Sequence, residues 1–350
     1  MSLYFSHLAC VQCYLLTVYS HHMLQEPFLF TYFSPLYRLN RVQTRIKMKI
    51  RITLACLFLS VFMANAQQDP QFSQNMFNRL MFNPGYAGTS GAICVTGINR
   101  SQWMGFEGAP KTFVLGVDMP ILAIKGGIGL TLVQDKIGVE NNVYAKLAYS
   151  YHLKLKDGTL GLGLDFGMMN KTLDGSLLKP LDTTDSSIPS SSVGSTVFDA
   201  GLGAYYTSKT FYAGLSSTHL PQSTFDLGTS TYQSRRHYYI TAGYHYQLNP
   251  DIEIRPSFFV KNAAKTQFDI NCNVHYKNKY WGGLSYRLQD AVIVMLGADV
   301  YKGLRVGIAY DVNTSTLNKY NSNTLEFMLN YCFKIKIEKP RQIYRNVRYL

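Results

Sequence analysis

The stretch Thr324-Leu325-Glu326-Phe327-Met328-Leu329-Asn330-Tyr331-Cys332-Phe333-Lys334-Ile335 decides the fold. In an extended chain Leu325, Phe327, Leu329, Tyr331, Phe333 and Ile335 share one face, and Glu326, Met328, Asn330, Cys332 and Lys334 share the other. A strand takes this period of two when one face meets an apolar medium and the other a polar one. The segment before it repeats the pattern: Val306, Ile308, Tyr310 and Val312 oppose Arg305, Gly307, Ala309 and Asp311. Further upstream, Tyr238, Ile240, Ala242, Tyr244 and Tyr246 oppose Tyr239, Thr241, Gly243, His245 and Gln247.

Fourteen strand-like segments follow one another between Ser90 and Ile337. Most have the roughly 9–11 residues that a tilted strand needs to cross a bilayer. The joints fall into two interleaved sets. Ile124-Lys125-Gly126, Lys156-Asp157-Gly158, Ser208-Lys209, Asn249-Pro250-Asp251, Asn278-Lys279 and Lys302-Gly303 are compact turns. Trp103–Lys111, Asp135–Asn142, Asn170–Val197, Thr218–Arg236 and Asn313–Asn323 are longer, with two short members near Asn262–Lys265 and Gln289–Ala291. That wiring predicts an all-β chain, a transmembrane antiparallel outer-membrane β-barrel of about 14 strands over residues 90–337. An even strand number places both termini on the short-turn side, the periplasm. The competing reading, one or two soluble β-sandwiches, explains neither the interleaving nor the tyrosines.

Composition agrees. Of 350 residues 47% are hydrophobic, 14% aromatic and only 16% charged, below the usual quarter, with 26 Tyr. Mean hydropathy is −0.06, because lumen and lipid residues average out. Tyr-rich strand ends fit interfacial girdles. The +13 net charge counts Arg38, Arg41, Arg45, Lys47, Lys49 and Arg51 against Glu26 before residue 67, which leaves +8 beyond it. An exported barrel meets no nucleic acid, so the basic loops and tail point to lipid phosphates of the outer membrane or to acidic protein partners.

Met48-Lys49-Ile50-Arg51 is a basic start, Ile52 to Met63 an apolar run, and Ala64-Asn65-Ala66 a small-x-small cleavage site. Residues 48–66 therefore read as a signal peptide, with Gln67 as the mature start. Residues 1–47 are read as an upstream extension from a mis-assigned start, with Met48 as the true one. Thr53-Leu54-Ala55-Cys56 has the wrong residue and the wrong place for a lipoprotein box. Cys94, Cys272 and Cys332 remain, an odd number far apart, and are expected to be small strand residues rather than a disulfide framework.

The most distinctive residues lie before and after the first strand. Gln68-Asp69-Pro70-Gln71-Phe72-Ser73-Gln74 leads to Asn83-Pro84-Gly85-Tyr86-Ala87-Gly88, and the first strand ends in Arg100-Ser101-Gln102-Trp103-Met104-Gly105-Phe106-Glu107-Gly108-Ala109-Pro110-Lys111-Thr112. Asp135-Lys136-Ile137-Gly138 and Gly283-Leu284-Ser285-Tyr286-Arg287 follow in order. Across about residues 67–350 these motifs and the basic tail resemble the PorP/SprF proteins of the type IX secretion system of Bacteroidota, with Gly85 where Ala is commoner. The resemblance implies a barrel related in shape to fatty-acid transport channels. It also implies an adaptor or anchor for a cognate surface protein, such as a gliding adhesin with a type B C-terminal domain, and contact with periplasmic components of the secretion machine. The alternative is a passive channel for hydrophobic or small polar solutes.

In residue terms, 67–89 is a periplasmic lead-in or a plug, with Phe72, Asn83, Pro84, Gly85, Tyr86 and Gly88 as its candidate residues. Trp103, Phe106 and Pro110 form an apolar set in the first outer loop, placed either to meet a partner or to cap the barrel. The tail 338–350, with Arg341, Arg345 and Arg348, hangs in the periplasm as a solvated end or a docking peptide. The serine-rich loop after Asn170 suits surface binding. His152, His219, His237, His245 and His275 suit catalysis by type alone, with no nucleophile motif or carboxylate pair beside them, so no enzyme and no cofactor are expected. A Cys10-x-x-Cys13 pattern with His21 and His22 looks like a metal motif but lies in the upstream extension.

Overall fold

The computed structural model describes residues 69–178, 188–228, 230–263, 265–314 and 323–334. The upstream extension, the signal segment, the basic tail and part of the serine-rich loop lie outside the described residues.

Among the described residues seventeen strands run in chain order: β1 (Ile93–Ser101), β2 (Lys111–Ile121), β3 (Gly126–Ile137), β4 (Glu140–Lys154), β5 (Gly158–Asp174), β6 (Ser192–Ser208), β7 (Phe211–Thr218), β8 (Thr224–Asp226), β9 (Thr231–Gln233), β10 (His237–Tyr244), β11 (Tyr246–Asn249), β12 (Ile252–Asn262), β13 (Thr266–Tyr276), β14 (Tyr280–Arg287), β15 (Ala291–Tyr301), β16 (Leu304–Asn313) and β17 (Thr324–Phe333). β8 and β9 form a separate hairpin in the loop after β7. β10 and β11 are two parts of one stave, broken at His245, and both pair with β12. Every other strand pairs antiparallel with its chain neighbour, and β1 pairs with β17, so that 14 staves close into a barrel. Among the described residues no helix is long and apolar enough to cross a membrane.

The register explains the alternation. On β17, Thr324, Glu326 and Met328 are buried inside the barrel, while Phe327, Leu329, Tyr331 and Phe333 are exposed outside. Exposed apolar residues recur around the wall: Leu130 and Leu132 on β3, Leu162, Leu164 and Phe166 on β5, Val294 and Leu296 on β15. Buried polar residues recur within it, including Thr131, Ser150, Asp165, Ser216 and Asn271. A water-soluble protein would invert this arrangement; a wall facing lipid requires it. Tyr244, Tyr246, Tyr276, Tyr280, Tyr301 and Tyr331 crowd the short-turn end of the outer surface, as an interfacial girdle does.

Two expectations are corrected. The joint expected as a long loop over Asp135–Asn142 is the tight turn Gly138-Val139, because β3 and β4 stay paired out to Ile137 and Glu140. Gly138 supplies the left-handed φ of 57° that such a turn needs. Loop length therefore does not alternate strictly, although strand direction does. The cysteines are corrected too. Cys94 and Cys332 are register partners across the β1–β17 seam and form a disulfide; Cys272 is free. Their separation of 238 residues became irrelevant once the first and last strands paired.

Candidate functional site

β1 begins and β17 ends at the short-turn end, with Ile93 opposite Phe333. The chain ahead of β1 does not stay there. Gly88 lies against Met119, Pro120 and Gly127 near the short-turn ends of β2 and β3. Asp69, in contrast, lies beside His219 and His237, at the long-loop ends of β7 and β10. Residues 69–91 thus run the length of the lumen, from Asp69 at the long-loop end to Gly88 near the short-turn end.

Three kinds of contact hold this segment. The first is apolar. Phe72, Met76 and Phe82 join Tyr239, Phe259, Trp281, Ile293 and Met295 of the wall in one buried cluster. The Phe82 ring sits 4.9 Å from Phe259 and 5.3 Å from Tyr239, and Phe77 lies 4.8 Å from Trp281. Burying each such side chain contributes about 1.5–3 kcal/mol. Between them the turn Arg79–Phe82 (α1) sends the Arg79 guanidinium over the Tyr212 ring at 4.0 Å.

The second is direct backbone packing. Asn83-Pro84-Gly85-Tyr86 folds as a short helical turn, with the Gly85 amide donating to Asn83 Oδ1 at 2.9 Å. Asn83 Nδ2 donates to the carbonyls of Ala204 and Leu215 at 3.0 and 3.3 Å. Ser150 Oγ donates to Gly85 O at 2.9 Å, and Ser216 Oγ to Phe82 O at 2.6 Å. A Cβ on Gly85 would stand 2.7 Å from Gly161 O and 2.9 Å from Tyr205 N. Wall glycines Gly127, Gly161, Gly163 and Gly203 leave the matching room. Gly88 has φ +70°, and its amide donates to Asp118 Oδ2 at 2.9 Å. Tyr86 is half-buried, its ring 5.2 Å from that of Tyr205.

The third is ionic. The Ser73 and Gln74 amides donate to the two oxygens of Glu326 at 2.8 and 2.9 Å. Ser73 Oγ lies 2.6 and 2.7 Å from the Asp311 oxygens. Arg100 bridges Ser73 Oγ, Glu326 and Asp311 at 2.8, 3.0 and 2.8 Å. Arg287 reaches Asp311 at 3.3 Å and Asp269 at 3.4 Å. These charged side chains are all at most 3% exposed, so their pairing is what makes their burial tolerable.

Three motifs distant in sequence therefore meet at Ser73: the one containing Ser73 itself, the one opened by Arg100 and the one closed by Arg287. A fourth motif, Asp135-Lys136-Ile137-Gly138, meets the one opened by Arg100 outside the lumen segment. Thr112 Oγ1 donates to Asp135 Oδ1 at 2.6 Å, and the Gly138 amide donates to Gly108 O at 2.9 Å. Asp311, Glu326, Asp269 and Asp118 were not singled out as site residues. Their signal is an acid at an inward register position of a strand whose other face is apolar.

At the long-loop end, Asp69 Oδ2 lies 2.8 Å from His219 Nε2 and accepts from the Tyr239 hydroxyl at 3.2 Å; Lys261 Nζ donates to Asp69 O at 2.7 Å. Burial alone would raise the Asp69 carboxyl, but His219, His237 and Lys261 hold it well below the usual carboxylate range. His152 Nε2 lies 2.9 Å from Ala87 O. Of the histidines named by type, three thus touch the lumen segment, His245 pairs with Glu253, and His275 stacks near Trp281.

Among the described residues, two cavities between segment and wall are small. One, lined by Met76, Phe77, Arg79, Tyr212 and His275, measures about 30 Å³; another, by Asn75, Phe82, Asn83 and Tyr239, about 10 Å³. A single water needs roughly 10–15 Å³ on this measure. A wider depression of about 690 Å³ opens at the short-turn end, lined by Asn278, Asp299, Tyr301, Arg305 and Asn330.

The outer-loop residues separate. Phe106 is 58% exposed, Trp103 is half-buried with φ +52° and its amide donating to Thr324 Oγ1, and Pro110 is buried. Arg341, Arg345 and Arg348 lie outside the described residues.

Solved membrane barrels resemble the chain at low identity. The CymD monoaromatic hydrocarbon channel is 10% identical with TM-score 0.44, covering 75% of this chain and 93% of its own. The Acinetobacter baumannii outer membrane protein Omp33 is 10% identical with TM-score 0.39 (70% and 98%), and a Pseudomonas aeruginosa FadL homologue 10% with TM-score 0.34 (69% and 89%). No curated protein sequence matches the chain. Residues 64–331 match the family described as type IX secretion system membrane protein PorP/SprF. The match spans the lumen segment, the closed barrel and all the motifs that meet in it, and the chain belongs to the PorP/SprF family, as an outer-membrane barrel associated with type IX secretion.

Proposed function

We propose that this chain is a closed, non-enzymatic barrel that serves type IX secretion as an adaptor or anchor for one exported surface protein, not as a solute channel. The observation that carries the reading is the lumen segment: residues 69–91 occupy the lumen, and two cavities beside it have room for a water or two. A solute channel needs a continuous wet path, which this packing withholds. The short-turn end faces the periplasm, where the depression beside Tyr301 and the basic tail with Arg341, Arg345 and Arg348 meet machine components. The long-loop end faces outward, where Phe106 and Trp103 meet the surface protein, for which a large adhesin with a type B C-terminal domain is the proposed class.

Mild-detergent purification of a tagged chain from native outer membranes tests this. Recovery of periplasmic machine components or of one large surface protein supports the reading, and that recovery should fall in Phe106→Ala or in a chain truncated before Arg341. Recovery of the barrel alone, with conductance in bilayers, would overturn it.

A further inference from the structure

One cluster at the outer end of the lumen segment has a geometry that packing alone does not explain. Asp69, His219 and His237 each offer a ligand atom, and these atoms all lie within 4.8 Å of one another. Asp69 Oδ2 stands 2.8 Å from His219 Nε2 and 3.5 Å from His237 Nδ1. Bonds of about 2.0–2.1 Å to a tetrahedral ion place neighbouring ligand atoms about 3.3 Å apart. The two edges bracket that value.

His237 supplies an independent sign. Its side chain is 4% exposed, yet neither ring nitrogen makes a hydrogen bond to the described residues. A buried imidazole with both nitrogens idle is costly unless something else satisfies it. Nδ1 faces the Asp69 carboxylate. Behind His219, Asp199 Oδ2 lies 3.0 Å from Nδ1, so that a carboxylate backs the imidazole on the side away from Asp69. Metal-bound histidines have this arrangement, in which the outer carboxylate fixes the tautomer and strengthens the ligand. Asp199 is in turn held by Lys146 Nζ at 2.7 Å. Lys261 spends its ammonium on the Asp69 carbonyl, not on the carboxylate.

We infer that Asp69, His219 and His237 form a site for a zinc-like divalent transition metal that pins the lumen segment to the long-loop end of the barrel. Two imidazoles and one carboxylate suit zinc and its neighbours and disfavour magnesium or calcium, which take oxygen ligands. Three protein ligands leave a fourth position for water. Asp69 is the ligand from the segment; both histidines come from the wall. The ion therefore cross-links the two, whatever the segment's wider role.

The test uses the full protein from outer membranes, carrying a tag without histidine, stripped with chelator and titrated with Zn²⁺ alone by calorimetry. The same sample is loaded with Co²⁺ for visible absorption. The expected result is one Zn²⁺ per chain with Kd at or below the micromolar range and a tetrahedral Co²⁺ spectrum. Asp69→Asn and His237→Phe should each weaken binding at least tenfold while the barrel keeps its heat resistance. Hydrogen exchange in residues 69–72 should slow when Zn²⁺ is added. Failure to take up stoichiometric Zn²⁺, or equal uptake by both variants, would overturn the inference.

Discussion

Arg100→Ala tests the ionic anchor of the lumen segment. The guanidinium donates to Ser73 Oγ, Glu326 and Asp311 at 2.8, 3.0 and 2.8 Å, and all three side chains are buried. Removing one partner of a buried ion pair costs about 3–5 kcal/mol. Arg287 remains 3.3 Å from Asp311, which sets the expected loss at the lower end, about 3 kcal/mol. At about 1.4 kcal/mol per tenfold, release of the segment becomes about a hundredfold more frequent. The assay is hydrogen exchange with mass spectrometry on the purified barrel, read at the Ser73 and Gln74 amides that Glu326 holds. Exchange there should accelerate about a hundredfold in Arg100→Ala and about tenfold in Arg100→Lys, which keeps the charge but loses the fork. β4 and β5 should stay protected in both. Unchanged exchange at Ser73 and Gln74 in a folded Arg100→Ala barrel would refute the reasoning.

Three further outcomes are expected. Gly88→Ala should lower heat resistance of the barrel on gels, since the left-handed φ alone costs about 1–2 kcal/mol and the new Cβ would sit 2.7 Å from Met119 O; the same change at Gly97, where nothing lies within 4 Å, should be milder. Reducing the Cys94–Cys332 bond, or Cys94→Ser, should destabilise the closing seam by about 2–5 kcal/mol, read as an earlier thermal transition, while reductant should not affect Cys94→Ser itself. In chelator, the segment's outer end should loosen in acid. The folded Asp69 carboxyl is depressed, so its stabilisation is present above the unfolded value of about 3.9 and is lost as pH falls through the lower folded value. Exchange at residues 69–72 should stay slow down to about pH 4 and rise below it.

Much of the wall was legible because a lipid-facing strand writes its period into the sequence. Phe327, Leu329 and Tyr331 point outward as their spacing requires. Loop length was less legible: β3 and β4 continue as a paired ribbon to Gly138, and nothing in Asp135–Asn142 marks where the membrane ends and the ribbon goes on. The seam disulfide was missed because parity of cysteines cannot say which strands close a barrel. The segment before β1 was marked by Asn83, Pro84, Gly85 and Gly88, whose turn chemistry was plain. What those turns pack against was not, since the receiving surface is Gly127, Gly161, Gly163 and Gly203 on three other strands. Arg100 and Arg287 stood in named motifs, yet their shared targets, Asp311 and Ser73, emerge only when β1, β14 and β16 curve round one lumen.

Single-channel recording of the intact chain in planar bilayers measures the closed lumen most directly. With residues 69–91 packed against the wall, the intact protein should insert without conductance steps, and Arg100→Ala combined with Arg287→Ala should produce steps as the segment is released. Steady open-pore steps from the intact chain would contradict the closed lumen and return the protein to the channel reading.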